Sequence, residues 1–269
     1  MNSEELLVNL RKLNVPEADI KDLFDIRYKI PYIEVLMGKI FEIPSVYEGD
    51  LDLIKKDFPL AYLIGQVTFS ELTIKVNPSV LIPRVETEEL VLKVIEEQKN
   101  REITRILDLC TGSGCIALSL KKAFPKAEVY ASDISMYAVS KAQENAEINK
   151  LEINLVQTSY FEYFLNHHLT FDLIVSNPPY IPESEDLAPS LKYEPYSALY
   201  SGNDGLDSFK EIFFKLPLVL KDSGTAYFEI EASNAMKIVE LAHSRLFNYN
   251  VELLKDMQKK DRFLKVYHK

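Results

Sequence analysis

The sequence predicts an α/β fold in which a parallel sheet is covered by helices on both faces, preceded by a smaller helical region. From Val80 onward, short apolar runs typical of strands alternate with longer amphipathic stretches typical of helices. In the first 60 residues, by contrast, apolar residues recur at helical spacing. The 269 residues are 47% apolar, which suits one large domain with an appendage, or two domains.

The first 60 residues are predicted to form a helical domain. A first helix follows Ser3 as its N-cap, and a second runs from Pro16 to Pro31. Shorter helical pieces are expected at Tyr32–Met37 and Leu51–Asp57. The apolar faces of the two main helices comprise Leu6, Leu7, Leu10, Leu13, Ile20, Leu23, Phe24 and Tyr28.

The next segment, residues 61–79, is predicted to form a β-hairpin that links two bodies. Its apolar residues, Val67, Phe69, Leu72, Ile74 and Val76, lie in short alternating runs among Thr and Ser. Residues 80–269 then form the α/β domain. Its predicted strands are Arg105–Leu109, Glu128–Ser132, Asn154–Gln157, Phe171–Ser176 and Thr225–Ile230, with helices at Cys115–Ala123, Tyr137–Asn149 and Ser208–Leu220, and a closing edge hairpin at Val251–Lys255 and Phe263–Tyr267.

Charge and cysteine content narrow the class of partner and the compartment. The chain has 41 acidic and 31 basic residues, a net charge of −10, so it lacks the positive field that nucleic-acid binding requires, and a protein or small-molecule partner is favoured. Cys110 and Cys115 cannot frame a disulfide-stapled fold and lack the companions of a metal site, so we expect no metal and a reducing compartment. Acidic residues near the start and the absence of a long apolar run predict a soluble, cytoplasmic protein without membrane contact.

A glycine-containing loop joins a predicted strand to a helix over Asp108–Gly114. Gly112 and Gly114 would let the backbone turn tightly and approach a ligand, together with Cys110, Thr111 and Ser113. Asp133 ends the next predicted strand, where a carboxylate can accept hydrogen bonds from both ribose hydroxyls of an adenosine ligand. Ala117 stands where a dinucleotide site would have a third glycine, so S-adenosylmethionine fits better than NAD. A tight turn with a surface Asp remains the alternative.

The tetrapeptide Asn177-Pro178-Pro179-Tyr180 follows the apolar strand Phe171–Ser176, at the carboxyl end of a central strand where open α/β sheets bind ligands. It suits methylation of a planar nitrogen, which is a poor nucleophile because its lone pair is delocalised. The Asn177 side-chain oxygen and the Pro178 carbonyl can each accept one N–H of that group, and Tyr180 offers a flat face against it. Asn-Pro-Pro is also common in turns, which is the alternative interpretation.

These residues resemble the glutamine N5-methyltransferase family that modifies peptide chain release factors, the HemK/PrmC family. The resemblance implies a helical N-terminal bundle, a linking hairpin and a seven-stranded, Rossmann-like class I methyltransferase domain. It implies S-adenosylmethionine as cofactor and the Gly-Gly-Gln loop glutamine of a class I release factor as acceptor. The motifs that carry it are Pro59–Gly65 with Phe69, Leu81–Arg84, Glu86–Glu88, Asp108–Gly114, Asp133–Ser135, Ser176–Pro182, Glu194-Pro195, Ala198-Leu199, Asp204–Asp207 and Asp261-Arg262.

The chain departs from this family's pattern at three places. Cys110 stands where the family usually has Gly, which adds a side chain beside the methionine part of the cofactor. Ser159 stands where an Asp commonly precedes the aromatic residue that lies against the adenine, here Tyr160. The segment Glu229-Ile230-Glu231 with Asn234 lacks the usual Gly and Gln. These departures bear on cofactor affinity and leave the tetrapeptide intact.

The resulting hypothesis is an enzyme that transfers a methyl group from S-adenosylmethionine to a release-factor glutamine. Asn177, Pro178 and Tyr180 are the expected catalytic residues, and Asn177–Tyr180 the expected substrate site. Arg84, Glu86 and Glu88 order the site entrance or form a solvated charge cluster. Three alternatives remain: a ribosomal-protein glutamine methyltransferase, a nucleic-acid adenine N6-methyltransferase, and a non-catalytic adaptor of the same fold.

Overall fold

The computed structural model describes residues 1–269, which form twelve α-helices and nine strands. No helix combines the length and the apolar character needed to cross a membrane. The helices are α1 Ser3–Lys12, α2 Glu17–Asp22, α3 Tyr32–Leu36, α4 Asp50–Lys55, α5 Leu60–Ile64, α6 Val85–Gln98, α7 Cys115–Ala123, α8 Met136–Asn149, α9 Glu162–Asn166, α10 Tyr196–Leu199, α11 Asp207–Val219 and α12 Ala235–Arg245. The strands are β1 Gln66–Phe69, β2 Leu72–Lys75, β3 Arg105–Leu109, β4 Glu128–Asp133, β5 Asn154–Gln157, β6 Phe171–Ser176, β7 Leu220–Glu229, β8 Tyr249–Lys255 and β9 Asp261–His268.

The first helix begins one residue earlier than predicted, because Asn2 and not Ser3 is its N-cap. The Asn2 side chain accepts from the Glu5 backbone N–H at 2.9 Å, and the Glu5 carboxylate accepts from the Asn2 N–H at 3.1 Å. This reciprocal pair satisfies two N–H groups that would otherwise lack partners at the helix start. Ser3 is instead buried, and its hydroxyl accepts from the Phe41 N–H at 3.0 Å.

The second predicted helix is not a continuous α-helix. After α2 the chain widens into a π-helical turn at Leu23–Arg27, and Ile20, Leu23 and Phe24 are fully buried along it. Arg27, at the end of that turn, donates to the Asp50 carboxylate at 2.7 Å and to the Leu63 carbonyl at 2.5 Å. The wider turn therefore coincides with a tertiary ion pair, which the helical spacing of the apolar residues does not predict.

Helix α5 and the β1–β2 hairpin lie between the N-terminal helices and the large sheet. Leu63 packs in the apolar core of the N-terminal helices, whereas Tyr62 packs in the core beneath the sheet. The Tyr62 hydroxyl donates to the Val80 carbonyl at 2.6 Å. The predicted boundary near residue 60 therefore falls where one short helix contacts both cores, and the domain division remains a prediction.

The large sheet has seven strands in the order β5-β4-β3-β6-β7-β9-β8, with β9 antiparallel to its neighbours β7 and β8 and the other pairs parallel. This confirms the predicted fold class. Strand β7 begins at Leu220, which the sequence assigned to the preceding helix. Leu220 pairs with Phe171, and the register then shifts before Thr225 pairs with Leu173. The helical pattern of the chain before Leu220 concealed this early pairing.

Helices cover both faces of the sheet, as predicted. On one face, α6, α7 and α8 enclose a core that includes Leu90, Leu118 and Ile106. On the other, α9, α11 and α12 enclose a core that includes Phe164, Phe213 and Leu107. Successive residues of β3 thus point into opposite cores, which buries this strand on both sides and fixes its register.

Candidate active site

A cavity of about 390 Å³ opens at the carboxyl edge of the sheet, at the ends of β3, β4, β5 and β6. Its volume falls within the range of small-molecule sites. The strand order reverses between β3 and β6, so the helix crossovers leave a crevice at this point. The predicted residues that line it are Cys110, Thr111, Gly112, Ser113, Asp133, Tyr160, Asn177 and Pro179.

Gly112 and Gly114 serve different purposes in the loop after β3. Gly112 has φ +54°, and the position where a Cβ would stand has no atom within 4 Å, so the open side of this residue is available to a ligand. Gly114 has φ +84° and caps α7, but a Cβ there would lie 3.0 Å from the Ala142 Cβ on α8. Gly114 does not line the cavity; its size permits close packing of the loop against α8.

Asp108 anchors the loop that follows β3 through two hydrogen bonds. Its carboxylate is fully buried and accepts from the Thr111 hydroxyl at 2.5 Å and from the Ala117 N–H at 3.0 Å. Burial raises the pKa of Asp108 to about 7, even though both hydrogen bonds oppose that rise. These bonds fix the first turn of α7 to the end of β3.

Cys110 adopts the left-handed conformation, with φ +62°. Glycine adopts this conformation without steric cost, whereas a residue with a Cβ does not. This explains physically why the resembled family has Gly here. The Cys110 side chain lines the cavity, and burial raises the pKa of its thiol, which keeps the sulfur neutral and excludes it as a nucleophile at neutral pH.

Asp133 presents its carboxylate at the end of β4, in a fixed orientation. One oxygen accepts from the Gly112 N–H at 2.9 Å and the other accepts from the Ser135 N–H at 2.9 Å. Burial raises the pKa of Asp133, while these backbone bonds lower it. Each carboxylate oxygen keeps a further lone pair for a ligand, which suits a pair of hydroxyls.

Tyr160 forms the aromatic wall of the cavity, beside Ser159. Its hydroxyl donates to the Ser208 Oγ at 2.9 Å, and the Ser208 hydroxyl lies 2.8 Å from that of Ser201. Burial raises the pKa of Tyr160 to about 12, so the phenol is neutral. The hydroxyl is thus tethered and the ring edge and face are free to pack on a planar group.

Asn177 lies where two cavities meet. It lines the large cavity together with Pro179, and it also lines a second cavity of about 190 Å³ together with Tyr180. Pro178, between them, is buried. The tetrapeptide therefore separates two compartments and exposes one amide side chain to both; the second compartment is also lined by Leu81, Arg84, Ile181, Leu191, Ala198, Leu199 and Glu231.

The Asn177 side chain is held by a buried hydrogen-bond network. Its Nδ2 donates to the Thr87 Oγ1 at 3.1 Å, and the Thr87 hydroxyl donates to the Glu229 Oε2 at 2.6 Å. The Tyr180 hydroxyl donates to the other Glu229 oxygen at 3.2 Å. No donor of the chain reaches the Asn177 Oδ1 or the Pro178 carbonyl oxygen, so neither has a hydrogen-bond partner in the chain; of the two residues, only Asn177 lines a cavity.

Sequence reasoning missed Thr87 and Glu229 as site residues. Thr87 lies between two glutamates at the start of α6. Glu229 is conspicuous in the sequence only as the first residue of a segment that departs from the family pattern. Arg84, which precedes α6, donates to the buried Glu194 at 2.5 Å, which joins the start of α6 to the segment after the tetrapeptide. The position of Glu229 near the carboxyl end of the predicted strand Thr225–Ile230 was the one signal that could have found it, whereas Thr87, on α6, gave no such signal.

Gly205 fixes the back of the tetrapeptide. A Cβ at this residue would lie 2.4 Å from the Tyr180 carbonyl oxygen, and its φ is +74°. Ile181 also pairs with the same segment, because its N–H donates to the Leu199 carbonyl and its carbonyl accepts from the Ser201 N–H, each at 2.9 Å. The segment 199–205 therefore clamps the tetrapeptide from outside the sheet.

Comparison with known proteins identifies methyltransferases that this chain resembles. Residues 86–191 match the family model described as the methyltransferase small domain. The release factor glutamine methyltransferase of Flavobacterium psychrophilum is 39% identical over 82% of this chain and 79% of its own length. That of Lactococcus lactis is 34% identical over 93% of this chain and 96% of its own length. The solved structure of a ribosomal protein L11 methylase from Lactobacillus delbrueckii subsp. bulgaricus matches with a TM-score of 0.51 and 23% identity, over 68% of this chain and 79% of that one.

Proposed function

This chain belongs to the family of release factor glutamine methyltransferases, and from that premise we propose its donor, its acceptor and the residues that hold each. The methyl donor is S-adenosylmethionine. The acceptor is the glutamine of the Gly-Gly-Gln loop of a class I release factor. The catalytic residues are Asn177, Pro178 and Tyr180.

The large cavity fits the proposed cofactor by its chemistry. Asp133 offers two fixed acceptor oxygens to the ribose hydroxyls, and Tyr160 offers an aromatic face to the adenine. Gly112 leaves its backbone open where the cofactor would approach, and Cys110 and Asn177 line the same space. The bound cofactor supplies an electrophilic methyl group on a sulfonium. The residues of the chain supply position and orientation.

The single observation that carries the acceptor assignment is that Asn177 faces both cavities. A primary amide that enters the second cavity can donate one N–H to the Asn177 Oδ1 and the other to the Pro178 carbonyl, neither of which has a partner in the chain. Two such bonds hold the amide nitrogen in one plane and direct its lone pair at the large cavity. Catalysis by orientation of this kind requires no covalent intermediate.

Tyr180 lines the second cavity and not the first, so its ring is available to the acceptor side. Burial raises the pKa of its phenol well above the usual value, and the hydroxyl donates to Glu229. The tyrosine therefore acts as a neutral, fixed wall. This agrees with packing on the planar amide.

Label transfer from methyl-tritiated S-adenosylmethionine tests the assignment. We expect transfer to a release factor that carries Gly-Gly-Gln, and none to the same factor with that Gln changed to Ala. Asn177→Ala should lower kcat by about 100-fold or more with cofactor affinity retained, as for loss of an orienting group in the transition state. Asn154→Ala, at an exposed position of β5, is the matched control and should transfer at the wild-type rate.

An adenine amine presents the same two N–H groups, so duplex DNA belongs in the assay. The net charge of −10 disfavours a phosphate-rich acceptor. Label in DNA, or in the Gln-to-Ala factor at the wild-type rate, would refute the glutamine assignment.

A further inference from the structure

We propose that Thr87 and Glu229 are positioning residues that determine which end of the Asn177 side-chain amide faces the acceptor. The inference rests on the proposed function and adds to it two residues from separate elements. Thr87 is the third residue of α6, and Glu229 is the last residue of β7. Their hydrogen bond joins positions 142 residues apart in the sequence.

The network is buried and consists of three hydrogen bonds that join Asn177, Thr87, Glu229 and Tyr180. Thr87 is 3% exposed and Glu229 is 2% exposed. Strands β6 and β7 pair in register up to Ser176 and Phe228, which brings Asn177 and Glu229 out of the sheet side by side. Helix α6 then places the Thr87 hydroxyl between them, 3.1 Å from the Asn177 Nδ2 and 2.6 Å from the Glu229 Oε2.

The direction of the hydrogen bonds follows from the charge of Glu229. An ionised carboxylate only accepts, so the single hydroxyl proton of Thr87 must go to Glu229. The Thr87 oxygen can then only accept from Asn177, which places Nδ2 towards Thr87 and Oδ1 towards the acceptor. An amide acceptor needs an oxygen there, because its own N–H groups are donors.

Protonation of Glu229 permits the opposite arrangement. The carboxylic acid can donate to Thr87, Thr87 can donate to the Asn177 Oδ1, and the reversed amide then presents Nδ2 to the acceptor. The Asn177 Nδ2 and an N–H of the acceptor amide would then face each other as two donors, so the acceptor amide would lose a hydrogen bond. Burial raises the pKa of Glu229 to about 7, so the change in its protonation falls within the pH range of the assay. The charged or titratable groups that face Glu229 are Tyr180 after β6, Glu86 on α6, Cys115 on α7, and Arg262 on β9 with its partner Glu231.

The experiment measures kcat for a Gly-Gly-Gln release factor from pH 5.5 to 8.5, with cofactor affinity measured by calorimetry. We expect the wild-type kcat to fall as the pH drops below about 7. Thr87→Val, which removes the hydroxyl at nearly constant volume, should lower kcat about tenfold at pH 8, leave KM for the release factor near its wild-type value, and abolish that fall. Thr87→Ser should restore both the rate and the pH dependence.

Three further variants complete the design. Glu229→Gln, which cannot ionise, should give a flat profile. The double variant Thr87→Val/Glu229→Gln should be no slower than the slower single variant, because both act through Asn177. Thr225→Val is the matched control, since Thr225 is a buried threonine (4% exposed) near the middle of β7 whose hydroxyl oxygen accepts from Arg101 and takes no part in the Asn177 network.

The outcomes separate the inference from the proposed function. No transfer by the wild-type protein at any pH refutes the proposed function and this inference with it. If the wild-type protein does transfer the methyl group, three results would refute the inference and leave the proposed function standing. These are a wild-type kcat for Thr87→Val, a wild-type pH dependence for Glu229→Gln, or effects of the two substitutions that multiply in the double variant. Should Thr87→Val fail to fold, the Thr87→Ser and Glu229→Gln profiles decide by the same criteria.

Discussion

Two glycines that both have positive φ but lie in different surroundings offer a direct test of the large cavity. Gly112 has φ +54° and Gly65 has φ +83°, and neither has an atom within 4 Å of its Cβ position. Gly112 lines the large cavity, whereas Gly65 ends α5, away from it. Replacement by Ala therefore adds a methyl group to a positive-φ residue at both places, and only one of the two residues lines the cavity where a cofactor would bind.

The stability cost follows from the backbone alone. A residue with a Cβ in the left-handed region costs about 1–2 kcal/mol, and no steric clash adds to it at either glycine. At about 2–4 °C per kcal/mol for a chain of this size, both variants should melt a few degrees below the wild type. Differential scanning calorimetry checks this expectation.

Cofactor affinity should separate the two variants. The methyl group of Gly112→Ala occupies space that a bound ligand needs for close approach to the backbone, so we expect S-adenosylmethionine to bind at least about tenfold more weakly, or about 1.4 kcal/mol. Gly65→Ala should bind it as the wild type does. Equal Kd values for the two variants in calorimetric titration would show that the ligand does not approach Gly112.

Three other changes test separate parts of the site. Asp133→Ala should weaken S-adenosylmethionine binding about ten- to a hundredfold, measured by titration, because it removes two charged acceptors; an unchanged Kd would remove Asp133 from the site. Gly205→Ala should abolish methyl transfer and lower Tm, since the added Cβ meets the Tyr180 carbonyl at 2.4 Å and neither backbone can yield; wild-type turnover would contradict the clamp. Burial raises the pKa of Glu229 to about 7 from 4.5, so the folded state binds that proton more tightly and wild-type stability declines as pH rises through this window. Glu229→Gln should therefore gain up to about 3 kcal/mol relative to wild type in denaturant unfolding between pH 4.5 and 8, and a constant difference would refute the burial argument.

Three strands have the predicted bounds: β3 at Arg105–Leu109, β5 at Asn154–Gln157 and β6 at Phe171–Ser176. Strands β3 and β6 are mostly buried apolar runs flanked by polar turns, which have few other ways to fold, whereas β5 is a partly exposed strand at the sheet edge. Helix ends were predicted less well. Asn2 displaces Ser3 as N-cap through a bond to Glu5, and both residue types are good caps, so tertiary contact of the Ser3 hydroxyl with Phe41 decides between them.

At the site too, features within one segment are visible in the sequence, whereas contacts between distant segments are not. The tetrapeptide and the loop after β3 are contiguous, so their chemistry is visible in the sequence. The Thr87–Glu229 contact and the packing of Gly205 on Tyr180 join distant segments, and only the fold brings them together. Gly114 illustrates the converse: its place in a ligand-binding motif is visible, whereas its contact with Ala142 on α8 is not.

The register of the two central strands determines more than the position of the cavity. Leu109 and Ser176 are paired neighbours, and the Ser176 hydroxyl also donates to the Leu109 carbonyl at 2.5 Å. The loop after β3 and the tetrapeptide after β6, which we propose hold the donor and the acceptor, continue from these two paired residues, so buried strands set the distance between them. Exposed segments outside both cavities, such as residues 183–186, can therefore vary in sequence over evolutionary time without altering that distance. Divergence of the exposed surface is thereby uncoupled from the geometry of the central crevice.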